Sequence, residues 1–183
     1  MFEKIVEASS TNVTVTANSF TREYGDDNPQ FTYTTSGGTI TGTPKITCSA
    51  TKTSPVGTYT IKIEKGSVTN DNVTYVDGTL TITKAPLTIS AGTYTKKQGE
   101  DNPEFTLTYN GFKNNETEAV LTKKPTATTT ATKESAPGEY PVTVSGGEAQ
   151  NYAITHINGK LIVTEEDAII IVDACHAQNM HNE

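Results

Sequence analysis

The sequence predicts an all-β chain built from two small β-sandwich domains in tandem, and three observations carry that prediction. Of 183 residues, 35 are Thr, against few Leu, Met and Ala, a balance that disfavours helix and favours strand. Apolar and polar residues alternate at period 2 in segment after segment. The pattern is also written twice: 23 of 62 paired positions are identical, far more than a Thr-rich composition gives by chance.

The duplication sets the domain organisation. At an offset of 74, Val13-Thr14-Val15-Thr16-Ala17 lies over Leu87-Thr88-Ile89-Ser90-Ala91, Gly25 over Gly99, Asp27-Asn28-Pro29 over Asp101-Asn102-Pro103, and Phe31 over Phe105. Beyond an insertion near Phe112 to Leu121 the offset becomes 81, pairing Pro44 with Pro125, Gly57 with Gly138, Tyr59 with Tyr140, Gly66 with Gly147 and Gly78 with Gly159. The expected layout is an N-terminal extension at 1–12, a first repeat at 13–84, a Pro linker at 85–86, a second repeat at 87–165 and an acidic tail at 166–183.

Taken in order, Val13 to Ala17 reads as a half-buried strand with Val13, Val15 and Ala17 inward. Asp26-Asp27-Asn28-Pro29 reads as an Asx/Pro turn, followed by a strand with Phe31 and Tyr33 in phase. Ser54-Pro55-Val56-Gly57 turns the chain into a strand where Tyr59, Ile61 and Ile63 share a face, which makes Tyr59 an expected core residue. Val73 to Val76 and Thr79 to Ile82 are joined by Asp77-Gly78 alone, which reads as a hairpin on a type I′ turn. The second copy repeats this order. Its strands carry Leu87 to Ala91, then Phe105, Leu107 and Tyr109, then Tyr140, Val142 and Val144, and its last hairpin is expected at Asn158-Gly159. The one candidate helix is a turn at Asn115 to Leu121, where the first copy has only Ser36-Gly37-Gly38. Each copy is expected to hold six to seven strands as a sandwich, with a smaller β-grasp-like roll as the alternative.

Charge and length exclude several functions. The net charge of -7 argues against a nucleic-acid surface, and no run of 18 apolar residues could cross a membrane as a helix. Residues 13–84 carry 6 basic and 6 acidic groups and residues 87–164 carry 7 and 8, so the acidity belongs to the tail, where 165–183 holds 5 acidic residues and no Lys or Arg. Met1 to Glu7 lacks the apolar run of a signal peptide, so the chain reads as cytoplasmic or as a piece of a longer secreted protein.

Tyr24-Gly25-Asp26 followed by Asn28-Pro29, Ser54-Pro55-Val56-Gly57-Thr58-Tyr59, and Asp77-Gly78-Thr79-Leu80-Thr81-Ile82 resemble the MBG domain of YGX type, a mostly bacterial, immunoglobulin-like repeat of adhesins and other surface proteins. The second copy departs at the signature, with Gln98-Gly99-Glu100, but keeps Asn102-Pro103, Asn151-Tyr152 and Asn158-Gly159-Lys160-Leu161. The resemblance implies an immunoglobulin-like sandwich, an extracellular or cell-surface location, neighbouring modules of a longer protein as partners, with host glycan or protein as further partners, and no catalytic residues, cofactor or metal.

Searching the residues for chemistry gives the same reading. There is no Gly-x-Ser-x-Gly, dinucleotide or Walker-type loop. His156 takes the place of Tyr75 and reads as a strand residue, and Cys48, aligned with Thr129, as a small buried or half-buried one. Cys175, His176, His181 and Asp173 match no structural zinc spacing, and a bridge from Cys48 to Cys175 would need the tail to pass the whole second copy. The Asp/Asn turns offer oxygens for Ca²⁺ without EF-hand spacing, and polar turn chemistry accounts for them. Asn12, Asn72 and Asn115 open glycosylation sequons of the kind a Thr-rich chain produces by chance. Ala168 to Val172 reads as the start of a truncated module or a strand that adds to a sheet edge. Two functions remain: a non-catalytic spacer or stalk of a surface protein, extended by the short stiff linker, or a carbohydrate- or protein-binding module. The second needs an exposed aromatic platform, for which Tyr24, Tyr94, Phe112 and Tyr152 are the free candidates.

Overall fold

The computed structural model describes residues 12–166, and the expectations for the N-terminal extension and for the tail with Cys175, His176 and His181 fall outside the described residues. The first copy forms β1 (Val13–Ala17), β2 (Phe20–Glu23), β3 (Tyr33–Ser36), β4 (Lys45–Cys48), β5 (Gly57–Glu64), β6 (Val73–Val76) and β7 (Gly78–Thr83). The second forms β8 (Ala85–Ala91), β9 (Thr93–Lys97), β10 (Leu107–Asn110), β11 (Lys123–Thr129), β12 (Gly138–Glu148), β13 (Tyr152–Ile157) and β14 (Gly159–Thr164). Each copy divides its seven strands the same way. A three-stranded sheet has the order β3-β1-β6 or β10-β8-β13, and a four-stranded sheet the order β2-β7-β5-β4 or β11-β12-β14-β9. The chain is all-β, as the period-2 pattern requires. The insertion holds only a 3-10 turn at Glu118–Val120, capped by the Thr117 hydroxyl, which accepts from Ala119 N–H.

Alternation puts the expected residues inside. Val13, Val15 and Ala17 of β1 are buried, and Ile61 and Ile63 of β5 and Leu80 and Ile82 of β7 join them, while Thr58, Thr60 and Lys62 between them face solvent. β5 touches both β1 and β6, so the two sheets of the first copy share one core. Tyr59 and Tyr140 are equivalent, as expected, but neither is a core residue. Both are half-buried and each donates its hydroxyl to the carbonyl four residues earlier, Pro55 and Ala136, at 2.9 Å. A ring whose hydroxyl must reach a turn carbonyl stays at the rim, and Ile61 and Val142, two residues further on, take the centre.

The two hairpins do not form. β6 lies beside β1 and β7 beside β5 and β2, in different sheets, so Asp77-Gly78 is a corner where the chain changes sheet. None of Asp77, Gly78, Asn158 and Gly159 has the positive φ of a type I′ turn. Their residue types have another cause. The Asp77 and Asn158 carboxyl and amide oxygens accept from the N–H of Ile63 and Val144 at 2.9 Å, tying each corner to the long strand. A Cβ on Gly159 would stand 2.0 Å from the Gly92 carbonyl oxygen, and one on Gly78 2.7 Å from the Ala17 carbonyl. Gly159→Ala is therefore expected to destabilise by about 1–3 kcal/mol through overpacking against backbone, seen as a lower urea midpoint with the slope unchanged.

Ala85 and Pro86, expected as a linker, are the first two residues of β8, so only Lys84 separates β7 from β8. Ala85 is fully buried and its N–H donates to the Asn151 carbonyl at 3.0 Å. By packing, the described residues fall into two compact units, one of 12–89, 109–126 and 145–156, the other of 90–108, 127–144 and 157–166. The division does not follow the sequence repeat, because the first unit takes in the insertion and the Asn151-Tyr152 segment of the second copy.

Candidate functional site

Three places concentrate polar or aromatic side chains. The first recurs in both copies. Arg22 and Lys96, paired by the repeat, are charged side chains only 7% and 4% exposed, and the sequence reading missed both. In β2 the Arg22 guanidinium donates to Asn28 Oδ1 at 2.8 Å, to the Glu23 carbonyl at 3.0 Å and to the Thr51 carbonyl at 2.6 Å, while Asn28 Nδ2 donates to the Ala50 carbonyl at 2.7 Å. In β9 the Lys96 ammonium donates to the carbonyls of Glu100 at 2.9 Å and Thr132 at 2.6 Å, and Asn102 Nδ2 to that of Ala131 at 2.7 Å. A buried cation with its donors met by carbonyls is the form in which such a charge is tolerated inside a small domain. It also explains the Asn-Pro signature, whose amide holds the turn to the loop after β4 or β11. These turns were the candidates for Ca²⁺. In the first of them Asn28 Oδ1 is engaged by the Arg22 guanidinium, and in the second the Lys96 ammonium donates to the Glu100 carbonyl.

The second lies within the first compact unit and joins Tyr24 and Gly25, which follow β2, to the insertion and to Tyr152 in β13. Glu116 Oε1 accepts from the Tyr24 hydroxyl at 2.6 Å, and Oε2 accepts from the Tyr152 hydroxyl. The Tyr152 oxygen in turn accepts from Lys113 N–H at 2.9 Å. The rings of Tyr24 and Tyr152 meet edge to face at 5.7 Å, and Phe112 packs on Tyr152 at 5.5 Å and on Tyr109 at 5.8 Å. Lys113 Nζ pairs with Asp26 at 3.1 Å. Val56 N–H donates to Asn151 Oδ1 at 3.1 Å. Asn114 and Asn115, at φ 54° and 58°, bend the insertion over this cluster. Burial, and then the hydrogen bond to Glu116, push the Tyr152 phenol up to about 12, and the same two causes raise Tyr24.

These contacts cover two of the four rings expected to form an aromatic platform. Tyr24 and Tyr152 are only 3% and 2% exposed, Phe112 is half-buried against Tyr152 and Tyr109, and Tyr94 is half-buried with its hydroxyl on the Thr106 carbonyl. Tyr24 and Tyr152 present no free face for a sugar, and the expectation that they are free is corrected; Tyr94 and Phe112 are partly covered. The sequence signal was available in one respect: Tyr24 and Tyr152 have no Tyr at the equivalent positions, Gln98 and Asp71.

The third place is an open groove of about 510 Å³ in the first copy, lined by Phe31, Tyr33, Pro44 and Ile46. Phe31 also packs on Phe20 at 5.9 Å. The second copy has Leu107 and Ala127 where the first has Tyr33 and Ile46. A wider recess, about 730 Å³, runs past Lys84, Glu148, Gln150 and Ile154, and the Lys84 ammonium there donates to the Ala149 carbonyl at 3.2 Å. His156 is an exposed strand residue with Nε2 at 2.7 Å from the Gly146 carbonyl oxygen, and Cys48 is half-buried in β4. Among the described residues no cluster of His, Cys, Asp and Glu could hold a metal ion, and no helix is long and apolar enough to cross a membrane.

The sequence model of the MBG domain (YGX type) matches twice, at residues 13–81 and 87–162. A comparison with curated proteins returns no relative.

Proposed function

The chain belongs to the MBG domain family of YGX type, with two tandem copies, and from that premise we propose that it is a non-catalytic, load-bearing spacer in a longer bacterial surface or secreted protein of the adhesin kind. MBG domains are repeat modules of surface proteins. The modular units of the proposal are the repeats at 13–84 and 87–165, neighbouring modules are its partners, and its location is extracellular. The observation that carries it is the pairing of first strands with last. β1 runs parallel to β6, and β2 parallel to β7, in the first copy, and β9 parallel to β14 in the second. Tension enters a copy at the N-terminal end of its first strands and leaves at the C-terminal end of its last. Between parallel neighbours that load is a shear, which strains all the ladder hydrogen bonds together instead of opening them one at a time. Thr on the outward positions of β5 and β7 keeps the exposed face polar without a strong charge.

Single-molecule pulling of the full chain tests this. Extension through the two ends is expected to need a clearly higher rupture force than extension through two cysteines placed at Thr47 and Lys62, which open the antiparallel β4–β5 pair. Equal forces would sink the spacer reading. The second reading, a carbohydrate- or peptide-binding module, is favoured by the Phe31–Tyr33–Ile46 groove. Specific retention on a glycan or peptide array, lost in Tyr33→Ala, would establish it.

A further inference from the structure

The contact of Tyr24, Gly25 and Asp26 with the insertion is asymmetric between the copies, and the asymmetry is complementary. On one side of it Tyr24, which donates to Glu116, and Asp26, which pairs with Lys113, are present only in the first copy, flanking Gly25 beneath the Lys113 side chain. Everything on the other side is present only in the second: the insertion with Phe112, Lys113 and Glu116, and Tyr152. The second copy has Gln98 and Glu100 in place of Tyr24 and Asp26, and the first has Ser36-Gly37-Gly38 and Asp71 in place of the insertion and Tyr152.

The two glycines separate fold from contact. Gly25 and Gly99 share the same left-handed backbone, φ 83° and 86°, so the turn itself demands Gly in both copies. A Cβ on Gly25 would stand 2.4 Å from Lys113 Cβ, whereas one on Gly99 would meet nothing within 4 Å. The polar knot beneath the turn, Arg22 with Asn28 or Lys96 with Asn102, is present in both copies. Tyr24 and Asp26 are therefore not needed to build the turn, and what distinguishes them is the surface they meet.

We infer that the Tyr-Gly-Asp signature is a coupling socket, and that the partner it fits is the insertion of the MBG repeat that follows it in the chain. Tyr24 supplies a hydroxyl to the Glu116 carboxylate, Asp26 a carboxylate to the Lys113 ammonium, and Gly25 the space. The signature thus reports whether a repeat is locked to an insertion-bearing neighbour on its C-terminal side. A repeat with Gln-Gly-Glu, like the second copy, does not couple in this way. The assignment stands whether the chain bears load or binds a ligand.

Hydrogen exchange on the full chain tests it, with the second copy's signature written into the first: Tyr24→Gln with Asp26→Glu. The Lys113 amide, held by the Tyr152 hydroxyl, and the Val56 amide, held by Asn151, are expected to exchange at least tenfold faster, while the β5 amides of the first copy keep their protection. In a spectrophotometric titration the late-ionising Tyr152 is expected to move toward the ordinary tyrosine range. Unchanged exchange at Lys113 with β5 still protected overturns the proposal. Should the double variant lose β5 protection, Glu116→Ala decides, because it alters only the insertion. Faster exchange at Val56, a first-copy amide, then supports the socket, and unchanged exchange there overturns it.

Discussion

Arg22→Ala is expected to lower the stability of the first copy by about 2–4 kcal/mol, enough to unfold a marginal domain whose total is about 5–15 kcal/mol. The side chain is 7% exposed and its three nitrogens are all used, on Asn28 Oδ1 and the carbonyls of Glu23 and Thr51. Deletion removes three charge-assisted donors at once and leaves their acceptors in a part-buried turn, where unmet polar groups are costly. It also frees Asn28, whose amide pins the Ala50 carbonyl. Arg22→Lys should recover much of the loss, since Lys96 does the equivalent work in the second copy with two carbonyl contacts. Urea melts of the three proteins check this. An alanine variant as stable as the parent would show the buried cation to be dispensable.

Raising the pH above 10 is expected to remove up to about 2–3 kcal/mol through Tyr152 alone, since each pH unit separating the folded from the unfolded titration is worth about 1.36 kcal/mol. The Tyr152 phenol is pushed up to about 12 in the folded chain, from an ordinary value of 10.0. The folded state therefore holds its proton where the unfolded state has already lost it. The contribution is fully present below pH 10, falls as the unfolded tyrosine ionises, and is gone above about 12. Tyr24 and Tyr109, both raised, add to the loss in the same direction. Glu116 and Glu118 face these rings with negative charge, and the Lys113–Asp26 pair lies beside them. Urea unfolding at a series of pH values from 8 to 12 tests the slope. In Tyr152→Phe that slope should be shallower, although the variant starts lower because Glu116 loses one donor and Lys113 N–H its acceptor. A stability that stays level from pH 9 to 12 would contradict the assignment.

The legible part of this protein was whatever a period or an offset encodes. Val15, Ile61, Ile63 and Val142 fell where alternation put them, because a strand's side chains must take opposite faces whatever its neighbour. The illegible part depended on the neighbour. Asp77-Gly78 has the residues of a tight hairpin, yet one residue serves as an acceptor for Ile63 and the other as space for the Ala17 carbonyl. Tyr59 kept the inward phase but sits at the rim, since its hydroxyl reaches back to Pro55. Arg22 and Lys96 carry no local sign of burial, because nothing near them in sequence says that carbonyls from residues 29 and 36 positions away will accept from them.

By itself, then, the sequence determined the all-β class, the duplication and the inward faces of β1, β5 and β12, all of which follow from repetition and from side-chain geometry within one segment. Only the tertiary structure decided which strands are neighbours, that the chain changes sheet at Asp77 and Asn158, and that Tyr24 and Tyr152 are buried on one carboxylate instead of open to a sugar. The physical reason is range. Periodicity is a property of adjacent residues, whereas Tyr24 and Glu116 are 92 positions apart, and a hydroxyl's partner at that distance is chosen by the packing of the chain.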